Sequence, residues 1–221
     1  MTTILLNEEV TVQVQEVFAG LNEPVQVLYF GKESDCDYCE DTLQLIKEVV
    51  GLSDKLNLEM YDMEDDADIA REYKVDKAPG LVIAGRDGDQ ILDYGIRYTG
   101  IPSGHEFSSL INTLLLVSAR DSGLNQDTRQ ALSELSQPVN MMVFVTPTCP
   151  YCPRAVVLAH QMAMESPMVE AEMVEATEFS ELSLRFGVSG VPQTTINEGA
   201  GMVVGAVPED QLLNEIHNAL K

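Results

Sequence analysis

Four cysteines occur in 221 residues, and they form two C-x-x-C pairs: Cys36/Cys39 in SDCDYCE and Cys149/Cys152 in TPTCPYCPR. Two thiols at this spacing can open and close as one disulfide, the pattern of dithiol–disulfide exchange. The same residues could instead form stabilising bridges, or hold one zinc ion among four thiolates. Zinc ribbons bring their pairs together on turns. Here the pairs lie 113 residues apart, each after an apolar strand and before a helix. A bridge across two intervening residues closes almost no loop and adds little stability through chain entropy. Redox chemistry is the expected role, and no metal is expected. His105, His160 and His217 are scattered without ligand spacing.

The strand–loop–C-x-x-C–helix order sets the reactivity. The first cysteine meets the unsatisfied N–H groups and positive dipole end of a helix, which favour a thiolate. Thiol pKa values in such places fall from about 8.5 to roughly 3.5–7.5. The second cysteine, one turn inward, is more buried and resolves the mixed disulfide.

The elements around the two motifs repeat. At the 113-residue offset Cys39 falls on Cys152, Tyr38 on Tyr151, Tyr73 on Phe186, Val75 on Val188 and Pro79 on Pro192. Each proline follows the first cysteine of its unit by 43 residues. The chain therefore reads as an internal duplication, residues 1–119 and 120–221, each about the size of a small domain. In the first unit, periodicity predicts helices over 8–19, from 39 to about 51, over 67–73 and over 103–119. Strands are predicted at VQVLYF, LNLEMYDME, GLVIAG and QILDYGIRYTG. The second unit is read as helices over 125–136, 150–164, 178–186 and 208–220, with strands over 139–145 and 168–174 and at QTTIN and MVVGA. The short polar joint ARDSGLNQD leaves little slack, so the units are expected to pack together.

These residues carry a family resemblance. CPYC between a strand and a helix, followed by GVP before a strand, resembles the thioredoxin fold. The second unit is similar to glutaredoxins, in CPYC itself and in VPQTTIN and VVGAVPEDQL. The whole chain resembles the glutaredoxin-like protein disulfide oxidoreductases of thermophilic archaea and bacteria. The resemblance implies an α/β protein of two tandem thioredoxin-like folds, each a central mixed β-sheet flanked by helices. It implies that Cys36 and Cys149 attack and that Cys39 and Cys152 resolve. It implies a cis proline facing each disulfide, at Pro79 and Pro192. The backbone of Ala78 and Val191 would pair with the substrate chain by strand addition. Tyr38 and Tyr151, between the cysteines, are grouped with these substrate-facing residues. No bound cofactor is implied beyond the redox-active disulfides Cys36–Cys39 and Cys149–Cys152. The implied partners are protein disulfides and a thioredoxin-reductase-like flavoprotein. Thioredoxins also place a buried carboxylate in the strand before the motif, and neither VQVLYF nor MMVFV has one. Glu59 and Glu172, one strand later, are expected to face solvent.

The two sites are not equivalent. Cys149 is followed by Pro150 and has Arg154 in the first helical turn, with no carboxylate in the motif. Cys36 sits between Asp35 and Asp37, with Glu33, Glu40 and Asp41 nearby and Lys32 the one close counter-charge. Anions disfavour a thiolate and cations favour it. Cys149 is thus expected to be the more reactive thiol, and Cys36 to belong to a more reducing couple.

Composition bounds the partners. A net charge of -23 opposes binding to nucleic acid and to anionic membranes. It serves solubility, or steers electropositive partners. The N-terminal residues have no basic segment followed by an apolar run, and no stretch is long enough to span a membrane, so a cytoplasmic location is expected. Two other functions fit the motifs. One is an electron shuttle from a flavoprotein to a peroxidase, as in the duplicated N-terminal region of alkyl hydroperoxide reductase flavoproteins, whose first unit usually lacks cysteines. The other is a metal-binding or interaction scaffold.

Overall fold

The computed structural model describes residues 5–221; residues 1–4, which open the first expected unit, lie outside it. The first unit runs α1 (Glu8–Phe18), β1 (Val25–Gly31), α2 (Cys39–Val50), β2 (Leu56–Asp62) and α3 (Ala67–Glu72), then β3 (Gly80–Asp87), β4 (Gln90–Leu92), β5 (Ile96–Thr99) and α4 (Glu106–Ala119). The second runs α5 (Gln126–Ser133), β6 (Val139–Val145), α6 (Cys152–Glu165), β7 (Val169–Glu175) and α7 (Ser180–Arg185), then β8 (Gln193–Ile196), β9 (Gly201–Val204) and α8 (Glu209–Ala219). Asparagine caps the first helix of each unit: Asn7 Oδ1 accepts the Val10 N–H and Asn125 Oδ1 accepts the Thr128 N–H, both at 2.9 Å. Such caps contribute about 1 kcal/mol each.

The sheets of the two units join. Strand order is β2-β1-β3-β5-β7-β6-β8-β9, with β4 paired to β3. The junction is the parallel pair β5–β7, which sets Arg97 beside Glu172 and Thr99 beside Val174. The fourth strand expected over 90–100 is therefore two strands, both paired with β3, of which only β5 also pairs with the second unit. Asp93 Oδ1 accepts the Gly95 N–H at 2.9 Å, and Gly95 turns at φ +75°, which redirects the chain to the other unit. No described helix is long and apolar enough to cross a membrane.

Most of the core lies on one face. Alternate residues of β1 (Val25, Val27, Tyr29), β5 (Ile96, Tyr98) and β6 (Val139, Met141, Val143) pack under α1, α2, α4, α5, α6 and α8. The opposite face holds a smaller cluster under α3, with Leu28, Phe30, Val82 and Ala84. Because β1 is covered on both faces, all seven of its residues are buried and all but Gln26 lack a charged or amide side chain.

Under α4 and α6 a polar chain crosses the joint. Tyr98 Oη donates to Thr113 Oγ1 at 2.9 Å, and Thr113 Oγ1 lies 3.0 Å from His160 Nδ1. Burial lowers the His160 pKa to about 3 from 6.5, so the imidazole is neutral in the fold. A depressed histidine pKa gives stability that is complete above the unfolded value and is lost as pH falls. The melting temperature is expected to drop as pH falls from 6.5 toward 3, and His160→Gln to flatten that limb. Calorimetry showing the same acid slope in both proteins would remove His160 as its cause.

Candidate functional site

Both C-x-x-C pairs are closed disulfides, with Cα–Cα separations of 5.5 Å. Each sits where a strand of the sheet (β1 or β6) runs through a short loop into a helix. The helices begin at the second cysteine, Cys39 or Cys152, rather than at the first. The first cysteines therefore lie in the turns ahead of α2 and α6. Cys39 and Cys152 are 5% and 0% exposed, whereas Cys149 is 8% exposed and Cys36 more than that. In each unit the sulfur that leads is the outer one.

The sulfurs differ in their partners. The Cys152 backbone N–H donates to Cys149 Sγ at 3.1 Å. No hydrogen bond to Cys36 Sγ occurs among the described residues. At the first site Tyr29 Oη instead donates to the Cys39 carbonyl at 2.8 Å, and burial raises the Tyr29 pKa to about 12. Arg154 is exposed in the first turn of α6 and has no ion pair among the described residues. Lys32 faces Asp62, whose carboxyl it helps hold below the usual range after two backbone donors do so. Asp35 and Asp37 are both exposed, and Asp35 has φ +55°. Tyr38 and Tyr151 stand at the helix starts, 44% and 64% exposed, which leaves an aromatic ring in water beside each disulfide.

Ala78–Pro79 and Val191–Pro192 are the two cis peptides among the described residues. Both prolines are buried and anchored alike. The Pro79 carbonyl accepts the Gly100 N–H at 2.9 Å, and the Pro192 carbonyl accepts the Gly205 N–H at 2.8 Å. Neither Ala78 nor Val191 uses its backbone in a backbone hydrogen bond among the described residues. A cleft of about 490 Å³ joins Cys36, Asp35, Asp37 and the Ala78–Pro79 edge to residues 177–179 of the second unit.

Glu59 and Glu172 do not stand free in solvent. Glu59 accepts the Tyr61 hydroxyl at 2.6 Å, and Glu172 pairs with Lys77 at 3.1 Å and accepts from Thr99. At the joint, an unsatisfied carboxylate would oppose the neighbouring strand, so Glu172 is held by partners from the first unit.

Two other acids are shifted by burial, each with a pKa raised to about 7: Glu106 and Glu178. Glu106 is 1% exposed; Ser109 Oγ donates to its Oε2 at 2.6 Å, and its Oε1 has no partner. Its position follows from the packing of α4 on α6. The His105 N–H donates to the Pro147 carbonyl at 2.9 Å, Thr113 meets His160, and Gln161 Nε2 donates to the Ser122 carbonyl at 2.8 Å, so the helices run parallel. Glu106 lies seven residues before Thr113, and Cys152 eight before His160. At a rise of about 1.5 Å per residue the two stand at nearly one level. A buried carboxyl of the first unit thus lies at the level of Cys152 on the neighbouring helix. In the sequence it reads as an ordinary first-turn acid favoured by the helix dipole; only its place in an apolar helix, EFSSLINTLLL, hinted otherwise.

The thioredoxin domain family model matches the chain twice, over residues 24–112 and 139–218. The structure of a protein disulfide oxidoreductase from Aeropyrum pernix K1 is similar, with 34% identity and a TM-score of 0.88 over 97% of this chain and 94% of that one. The NTD_N/C domain of alkylhydroperoxide reductase from Enterococcus faecalis is similar at 27% identity, with a TM-score of 0.86 over 96% and 99%. An alkyl hydroperoxide reductase chain of Pseudomonas aeruginosa is 24% identical over 193 residues, 87% of this chain and 34% of that protein. The chain spans about a third of the length of the curated relatives it matches.

Proposed function

The chain belongs to the thioredoxin-domain family, and we propose that it works as a protein dithiol–disulfide oxidoreductase with two unequal sites. The observation that carries this is the repeated geometry: an outer cysteine bridged to a buried one at a helix start, in both units. Cys149 and Cys36 attack as thiolates and form mixed disulfides with the substrate. Cys152 and Cys39 then attack their neighbours and release the reduced substrate. The backbone edges at Val191 and Ala78 hold the substrate chain, and Tyr151 and Tyr38 flank it. Protein disulfides are the substrates, and a flavoprotein of the thioredoxin-reductase type restores the dithiols. We place the boundary between the units at residues 119 and 120.

At the second site Glu106 accepts the Cys152 proton as Cys152 attacks the Cys149 sulfur. A group titrating near the working pH suits that task.

The test is direct. The oxidised chain is expected to show no reactive thiols and the reduced chain four, one for each cysteine. It is also expected to catalyse insulin reduction by dithiothreitol. Thiol numbers that stay constant, with zinc retained through reduction, would point to a metal-binding scaffold and sink this reading. Similarity over nearly the whole of the Enterococcus domain favours a second reading, a shuttle from a flavoprotein to a peroxidase. Electron delivery to a peroxidase without insulin reduction would select it.

A further inference from the structure

The cleft over Cys36 is built by both units, and its second-unit wall carries one carboxyl of known aim. Glu175, at the end of β7, is 2% exposed; it takes the Thr177 hydroxyl and the N–H groups of Thr177 and Glu178, the last at 2.5 Å. That fixes the turn. The Ile101 N–H then donates to Glu178 Oε1 at 2.7 Å, while Oε2 takes no hydrogen bond among the described residues. Gly100, at φ +93°, makes room: a Cβ there would lie 2.9 Å from Glu178 Oε1 and 2.7 Å from Glu175 Cβ. The chain just past one unit's strand β5 thus holds the other unit's acid in the cleft that Cys36 also lines. Burial first, then the charge of Glu175, raises the pKa of Glu178 to about 7. The other charged groups facing it are Asp35 and Asp37 across the cleft, and Lys77, Glu181 and Arg185 on its outer side.

We propose that Glu178 is the proton donor to the substrate sulfur that leaves when Cys36 attacks, so that the first site is complete only with the second unit. The proposal rests on the disulfide-exchange reading above. The Cys36 thiolate displaces one substrate sulfur and forms the mixed disulfide. The departing thiolate takes the Glu178 proton and leaves as a thiol. When the Cys39 thiol attacks Cys36, its proton passes to solvent, Glu178 regains a proton from solvent, and the second substrate sulfur departs as a thiolate. One thiolate enters and one leaves, and two electrons pass to the substrate.

The measurement uses the full chain carrying Cys149→Ser and Cys152→Ser, so that only the first site reacts. Its reduced form is mixed with an alkyl disulfide, hydroxyethyl disulfide, or with an aromatic nitrobenzoate disulfide, whose thiolate leaves without a proton. Glu178→Gln is expected to slow the alkyl reaction about a hundredfold, the lower end for general acids, and to spare the aromatic one. Glu178→Asp is expected to restore part of the alkyl rate. The ratio of alkyl to aromatic rates should fall as pH rises through 7 in the parent and stay flat in Glu178→Gln. Equal slowing of both reactions, or slowing of neither, overturns the proposal. If the parent first site reduces neither disulfide, the exchange reading itself fails at this site.

Discussion

Cys149→Ser is expected to bring insulin reduction by dithiothreitol down to background, while Cys36→Ser retains most of it. Both sites have a bridge, a helix start and an X-Pro edge, so the difference must come from the sulfurs' surroundings. Cys149 Sγ receives a backbone N–H and has no acid in its motif. Cys36 lacks such a donor among the described residues and shares its cleft with Asp35 and Asp37. Donors to the charged form lower a thiol pKa and neighbouring anions raise it. One unit of difference makes about a tenfold difference in thiolate below both values. Exposure acts the other way, since Cys36 is the more accessible sulfur. Thiolate formation is expected to win, because an unionised thiol does not attack however open its position. Alkylation by iodoacetamide should accordingly have its pH midpoint lower at Cys149 than at Cys36. Activity lost in Cys36→Ser and kept in Cys149→Ser would reverse the assignment.

Much of this was readable in residue order because the duplication states it twice. Strands β1 and β6 are largely apolar and run into a motif, and α2 buries Cys39, Thr42, Leu45, Ile46 and Val49 at helical spacing. What escaped is what passes between the units. The pairing of residues 96–99 with 171–174 depends on contacts more than 70 positions apart, and no local pattern announces it. The break at Gly95 is a turn whose purpose lies in the other unit. Glu172 was expected in water, yet Lys77 and Thr99 of the first unit hold it. The two buried acids were invisible for the same reason. A thioredoxin-like unit searched alone offers no carboxyl in its central strand. Here Glu106 and Glu178 each come from the unit that does not carry the disulfide for which we propose they handle protons.

Glu106→Gln is expected to make the protein more stable and the second site slower, a combination that loss of packing would not produce. The carboxyl titrates at about 7 in the fold against 4.5 for the ordinary group, with burial as the cause. Because the folded pKa is the higher one, the native state holds the extra proton. Stability is complete below pH 4.5 and is lost as pH rises through 7. The full loss amounts to about 3 kcal/mol. Glutamine does not titrate, so denaturant unfolding should find the variant more stable than the parent above pH 7 by about that amount, with the two equal at low pH. In exchange the Cys152 thiol loses its proton acceptor. Release of the mixed disulfide at Cys149 should slow about a hundredfold, within the range for acid–base catalysis, and its inflection near pH 7 should vanish. Stabilisation without slowing would leave Glu106 a buried acid with no part in the exchange. Slowing with equal destabilisation at every pH would make it a packing residue. The joint outcome ties the strain of one buried carboxyl in the first unit to the chemistry of the second.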